Sequence, residues 1–273
     1  MVGFVRECFG LSQRRACRLI GLSRNTVRYE KQPDGDEEIR RRLRELAEKR
    51  RRFGCRRLHV LLKREGLVIN HKRTERLYRE ERLSLRIRRR RKLASQGRVD
   101  LGRPEGVNEQ WAMDFLQDTL RDGRRLRILP ILDIYSRECL RIEVDTSMGG
   151  RRIAAILTEM RTTRGCPEKI IVDNGPEFIS NALDQWAYGH GVNLQFIRPG
   201  KPVDNAYMES FNSRLRDECL NQHWFLTIGH ARQVIEEWRR DYNEARPHSS
   251  LGDLTPHEFL RLEEQQLLAA SNY

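Results

Sequence analysis

Lys201–Leu220, KPVDNAYMESFNSRLRDECL, has the periodicity of a two-faced helix. Met208, Phe211, Leu215 and Cys219 recur at spacings of three and four, which is one apolar face of a helix. Glu209, Asn212 and Arg216 follow the same spacing on a second, polar face. Pro202 ends whatever precedes, and Asp204 or Asn205 is placed to cap the first turn. Taken alone, such a segment reads equally well as an ordinary amphipathic surface helix. Two acidic positions upstream give it another meaning.

Asp114 lies within Gln110-Trp-Ala-Met-Asp-Phe-Leu116, an apolar stretch of strand character. Asp173 closes the run Ile170-Ile-Val-Asp-Asn-Gly175, a short buried strand leading into an Asn-Gly turn. A carboxylate inside or at the end of an apolar strand is costly to desolvate unless a cation or a hydrogen-bond network compensates. Thirty-five residues separate Asp173 from Glu209. Asp118, Asp133 and Asp204 are rival carboxylates. Asp133 ends the run Ile128-Leu-Pro-Ile-Leu-Asp133 much as Asp173 ends its own, so periodicity alone leaves it in competition for the site.

The order Asp, Asp, thirty-five residues, Glu, with Arg216 seven after the Glu, resembles the DDE transposases and retroviral integrases. The wording is closer still to the second-frame (OrfB) transposases of bacterial insertion-sequence family three. The matching segments are Trp111-Ala-Met-Asp-Phe115, Val172-Asp-Asn-Gly-Pro-Glu-Phe178, Pro199-Gly-Lys-Pro202, Asn205-Ala-Tyr-Met-Glu-Ser-Phe211 and Tyr242-Asn-Glu-Ala-Arg-Pro-His248. They span most of residues 103–260, and several motifs in one order are far more specific than the acidic spacing alone. Among the acidic positions the resemblance favours Asp114 over Asp133. Pro176 stands where a small hydroxyl residue is often expected.

The totals set bounds on the remainder. The chain has 273 residues, 38% of them hydrophobic, with a mean hydropathy of −0.73, which describes a soluble protein with a modest core. No run approaches the roughly 18 apolar residues of a membrane span, and Arg6 and Glu7 interrupt the N-terminal apolar residues, so no signal peptide is expected. Six scattered cysteines without a CxxC pair argue for reduced thiols in the cytoplasm, against a disulfide framework or a zinc site. Residues 1–100 carry 31 Lys and Arg against 13 Asp and Glu, a net of +18, within a chain of net +13. A basic third joined to a mildly acidic body indicates a polyanion-binding module fused to another domain.

Residues 1–32 read as a helix-turn-helix. Ser12 caps a helix carrying Ala16, Cys17 and Ile20, Gly21 makes the turn, and Ser23 caps a second helix with Val27 inside. That second helix would display Arg24, Asn25, Thr26 and Arg28 to a major groove. Gln32–Asp36 is a linker. A second helical module covers 36–85, with Leu43, Leu46 and Ala47 on one core face and Asn70 capping a last helix that displays Lys72, Arg73 and Arg76. It resembles a helix-turn-helix insert common in the same transposase family. A basic linker, 86–105, includes Arg88, Arg89 and Arg90; such a run adds salt-dependent affinity for phosphates but no sequence preference. The catalytic core is assigned to 106–262 and a tail to 263–273.

In the core, candidate strands 110–118, 125–133, 139–144, 169–173 and 192–197 alternate with candidate helices 151–164, 180–189, 206–219 and 229–244, a mixed α/β pattern. The resemblance implies a ribonuclease-H-like five-stranded mixed sheet with flanking helices, preceded by all-α helix-turn-helix modules. It also implies two Mg²⁺ ions, with Mn²⁺ as a substitute. Asp114 bridges both, Asp173 holds one and Glu209 the other, while Arg216 and Lys201 grip DNA. The activity implied is metal-dependent cleavage at insertion-element ends and transfer of the 3′-hydroxyl into DNA. The implied partners are double-stranded DNA (terminal repeats and target), further copies of the chain in a dimer or higher oligomer, and an upstream first-frame protein fused by frameshifting. The implied location is the bacterial cytoplasm, at the nucleoid. The alternatives are a metal-dependent nuclease of the same fold and an inactive DNA-binding regulator. Asn174 and Glu177 read as DNA-positioning or turn-stabilising residues, and Tyr242, Arg246 and His248 as helix-end packing.

Overall fold

The computed structural model describes residues 1–28, 35–85, 104–198 and 205–271. Most of the 32–36 linker, the run containing Arg88, Arg89 and Arg90, and Lys201 and Asp204 lie outside the described residues. Two compact units are present, Met1–Arg42 and Leu43–Tyr273.

The first unit is helical. Its helices are α1 (Val2–Phe9), α2 (Gln13–Ile20) and α3 (Arg24–Arg28). Ser12 Oγ accepts from the Arg15 N–H at the start of α2, and Gly21 ends that helix at φ 72°, a conformation that a Cβ disfavours. Ser23 Oγ accepts from the Asn25 N–H. Val2, Ala16 and Cys17 form a small core with Val5 and Ile20 against it. Val27 does not join it: this side chain, expected inside, is exposed, because α3 is only five residues long and buries none of them. Arg24, Asn25, Thr26 and Arg28 are all exposed.

The second unit starts within α4 (Glu37–Lys49) and continues with α5 (Cys55–Arg64) and α6 (His71–Glu80). Asn70 caps α6 by accepting from the Lys72 N–H at 2.9 Å. Leu43, Leu46, Phe53, Leu58, Leu62, Leu77 and Tyr78 are buried, while Lys72, Arg73 and Arg76 lie exposed on α6.

The sheet follows, with helices on its two faces. Its strands are β1 (Gln110–Met113), β2 (Leu116–Thr119), β3 (Arg125–Asp133), β4 (Cys139–Asp145), β5 (Lys169–Val172) and β6 (Asn193–Phe196). The expected first strand, 110–118, is therefore two strands, and the sheet has six strands where five were expected. β1 and β2 both pair with the same side of β3 in one continuous register, Met113 opposite Ile131 and Leu116 opposite Ile128. Continuing that register sets Asp114 opposite Pro130. Proline has no N–H to donate, so the ladder is interrupted there. The six strands thus occupy five lanes: β4, β3, β1 with β2, β5, β6. β5 runs parallel to both β1 and β6, and the other pairings are antiparallel.

Alternation along β1 sorts its side chains. Trp111 and Met113 face a core shared with α7 (Gly150–Arg164) and α8 (Asn181–His190). Ala112 faces the core shared with α9 (Ala206–Glu218) and α10 (Ile228–Glu244). β5 carries Ile170, Ile171 and Val172 buried in succession, as a central parallel strand covered on both faces requires. The last described helix, α11 (Pro256–Ser271), takes in 263–271 of the residues assigned to a tail.

Candidate active site

Asp114 sits in the gap between β1 and β2. The β1–β5 register pairs Trp111 with Ile170 and Ala112 with Ile171, so two residues further on Asp114 falls beside Asp173, just past the end of β5. Alternation points both toward the face covered by α9. From α9, Asn212 Nδ2 donates to Asp114 Oδ2 at 2.8 Å. Glu209 is one turn earlier on the same helix and is exposed. The fold thus sets Asp114 and Asp173 side by side and ties the helix that carries Glu209 to Asp114.

The electrostatics record that gathering. Asp114 is pushed up to about 6, first by burial and then by the Asp173 carboxylate. Hydrogen bonds from the Phe115 N–H and Asn212 oppose the rise, and Glu209 adds to it. Like charges crowded in a half-buried site disfavour ionisation unless a cation joins them. Among the described residues no three Asp, Glu, His or Cys side chains close around a single point; here the Asn212 amide holds one Asp114 oxygen.

Three observations bear on whether a divalent cation fits. The charged donors are all carboxylate oxygens, which hard cations prefer. Gly175 lets the backbone close in on the carboxylates: its N–H donates to Asp173 Oδ1 at 2.8 Å, and a Cβ there would stand 2.9 Å from that oxygen and 3.0 Å from Glu177 Oε2. Asn212 Oδ1 is buried without a hydrogen-bond partner. The residues present therefore suit a cation of this class.

The rivals have other work. Asp133 is fully buried, and its carboxylate accepts from the Asn108 N–H and from the N–H and hydroxyl of Ser136, so it closes the turn after β3. It stands opposite Trp111, three residues along the lane from Asp114. Asp118 Oδ1 accepts from the Thr119 N–H on β2.

Other expected residues divide as follows. Arg216 is exposed and donates to the Gln117 carbonyl at 3.1 Å, linking α9 to β2. Asn174 Nδ2 donates to the Ile197 carbonyl at 2.8 Å, the turn-stabilising option. Glu177 forms an ion pair with Arg127, whose guanidinium lies over the Phe115 ring. Asn205 is the N-cap residue of α9 but its side chain makes no capping bond. Sequence reasoning missed the contacts of Asn212 and Arg127. The spacing of Asn212, three residues after Glu209 on one face, was the available signal for the first; nothing local marks the second.

Known proteins resemble this chain along most of its length. An integrase core domain family matches residues 104–202, a second family described in the same words matches 190–256, and an HTH-like domain family matches 34–91. An uncharacterized 31.7 kDa protein of insertion element IS407 from Burkholderia multivorans is 51% identical over 93% of this chain and 92% of its own length. An uncharacterized 39.2 kDa protein of insertion element IS476 from Xanthomonas euvesicatoria is 45% identical over 91% of this chain and 72% of its own. The transposase InsD of insertion element IS2D from Escherichia coli is 28% identical over 77% of this chain and 73% of its own. In structure, a chain of the simian T-cell lymphotropic virus intasome, solved in complex with a PP2A regulatory subunit, superposes with a TM-score of 0.52 over 80% of this chain and 73% of that one, at 13% identity, a likeness of fold. The chain belongs to the integrase-core transposases of bacterial insertion-sequence family three.

Proposed function

We propose that this DNA transposase cuts at the ends of its element and joins the freed 3′-hydroxyl to target DNA, with Asp114, Asp173 and Glu209 as its catalytic carboxylates. The observation that carries the reading is the strand register that sets Asp114 beside Asp173, together with the Asn212 bond that ties the Glu209 helix to the same carboxylate. These three side chains would hold two Mg²⁺ ions, or Mn²⁺ in their place. Such ions supply an acidified oxygen nucleophile and charge stabilisation for a phosphodiester exchange. The protein's part is placement: the sheet fixes the two aspartates, and Asn212 sets the rotation of Asp114.

DNA binding is assigned to both helical segments. In residues 1–32 the exposed Arg24, Asn25, Thr26 and Arg28 face the duplex, and in 36–85 Lys72, Arg73 and Arg76 do so. The 86–105 linker, with Arg88, Arg89 and Arg90, adds phosphate contacts, as do Lys201 and Arg216 beside the core, 106–262. No described helix is long and apolar enough to cross a membrane. The chain is proposed to act in the bacterial cytoplasm, at the nucleoid. Pairing two element ends calls for a dimer or higher oligomer, and fusion to an upstream first-frame protein would add further DNA binding.

The test supplies a labelled, pre-cut element end with target duplex and Mg²⁺. Joined product that disappears in Asp114→Asn, Asp173→Asn and Glu209→Gln, with DNA binding retained, is expected. Cutting without joining would replace this reading with a nuclease. Binding that survives EDTA with neither reaction would replace it with a regulator.

A further inference from the structure

We propose that Tyr242 and Arg246 are positioning residues for Glu209: they grip α9 at two points and so set where its carboxylate meets Asp114. The proposal rests on the assignment of Glu209 as a metal ligand above. Arg246 is 1% exposed. Its guanidinium donates through Nε to Glu218 Oε2 at 2.8 Å and through a terminal nitrogen to Glu218 Oε1 at 2.7 Å. Tyr242 meets Phe211 edge-on, with ring centroids 5.0 Å apart. Phe211 and Glu218 both lie on α9, seven residues apart, hence on one face two turns from each other. Glu209 and Asn212 lie on another face, where Asn212 reaches Asp114.

The turn that carries the grip is itself fixed. The Arg246 N–H donates to the Asp241 carbonyl at 2.9 Å, and the His248 N–H to the Leu254 carbonyl at 3.0 Å. His248 Nε2 donates to the Tyr242 carbonyl at 3.0 Å, and its ring stands perpendicular to that of Tyr242 at 4.6 Å. Arg57 on α5 adds a third hold, donating to Glu218 Oε1 at 3.1 Å.

A buried ion pair is a poor way to gain stability, since packed apolar residues generally do as well or better. What the forked pair adds is geometry: two parallel bonds fix both rotation and axial position. The Glu209 carboxylate stands roughly 6 Å from the helix axis, so a rotation of α9 by about 10° moves it by about 1 Å. Displacements of that size cost about 10²-fold where geometry is demanding.

The test is Mn²⁺ binding by the full chain, read from the electron paramagnetic resonance of the free ion, alongside thermal melts. Arg246→Lys keeps the charge and removes the fork; Glu218→Gln keeps the shape and removes the charge. Both are expected to weaken Mn²⁺ binding by about tenfold, the loss typical when the groups behind a ligand are disturbed. Thr158→Ala is the control. Its hydroxyl accepts from Trp186 Nε1 at 3.0 Å, between α7 and α8 on the sheet face opposite α9, so its loss should leave Mn²⁺ affinity unchanged. Parent affinity in both Arg246→Lys and Glu218→Gln overturns the proposal, as does equal weakening in Thr158→Ala or loss of a cooperative melt in both test variants. Glu209→Gln separates the two readings. If it binds Mn²⁺ like the parent, the ligand assignment has failed and the positioning role falls with it. If it binds weakly while the test variants bind normally, the positioning role alone has failed.

Discussion

His248 makes the fold sensitive to acid. Burial, and then the Arg246 charge, hold its imidazole down to about 3; the bond to the Tyr242 carbonyl opposes this, while Arg214 and Arg57 add to the depression. In the unfolded chain the ring titrates near 6.5. A depressed value means that His248 contributes its full stability above about 6.5 and loses it as pH falls toward 3. Between pH 7.5 and pH 5 the unfolded ring gains a proton that the folded ring refuses, which removes roughly 2 kcal/mol. His248→Gln keeps a donor in reach of the Tyr242 carbonyl and cannot titrate. Urea denaturation of both proteins at the two pH values, in EDTA, gives the comparison. The substitution itself is expected to cost some stability at pH 7.5. Its further loss on going to pH 5 should be smaller than the parent's by about 2 kcal/mol. Equal losses in the two proteins would assign the acid sensitivity to groups other than His248.

Asp114→Asn should stabilise the metal-free protein at pH 7.5 by on the order of 1–2 kcal/mol, a figure reduced for the site's partial contact with solvent, because it removes a charge that burial, and then the neighbouring Asp173, disfavours. Denaturant melts showing no gain would contradict this. Pro130→Ala supplies an N–H opposite Asp114, so the new amide at position 130 should be protected in hydrogen exchange; fast exchange there would show that the ladder does not continue across the gap. Lys72→Ala, Arg73→Ala and Arg76→Ala should each weaken duplex binding alike across sequences and lower the salt slope by about 1. An unchanged slope removes that residue from the phosphate contacts.

The sequence carried the local features of the site well. The three-and-four spacing of Met208, Phe211 and Leu215 marked the buried face of α9, and the apolar runs around Asp114 and Asp173 marked two strands. What it could not carry was register. That Asp114 lies beside Asp173 depends on a parallel pairing between segments nearly sixty residues apart. That Pro130 interrupts the ladder depends on an antiparallel pairing formed after a turn. For the same reason a single candidate strand, 110–118, became two. Val27 failed for a different reason: an apolar residue on a five-residue helix has too little helix beneath it to reach a core. α11 went unrecognised because Leu262, Leu267 and Leu268 are exposed, leaving no buried stripe to announce it. Arg246 packs at a helix end, as expected, but its partner was not legible: a fully buried arginine needs an acid to meet it, and Glu218 lies 28 residues earlier.

These origins divide the site into two kinds of part. Asp114 and Asp173 are held by adjacent strands in the middle of a sheet packed on both faces, so their separation is set by backbone hydrogen bonding and changes little. Glu209 rides on a helix that, among the described residues, no backbone bond ties to the sheet; α9 is located by side chains, at Asn212, Arg216, Phe211 and Glu218. Tolerance should follow the same division. Conservative changes behind the two aspartates meet a rigid ladder and are absorbed as stability. Conservative changes behind α9 alter the angle at which the third carboxylate arrives, and chemistry that needs three converging oxygens registers that angle before the fold does.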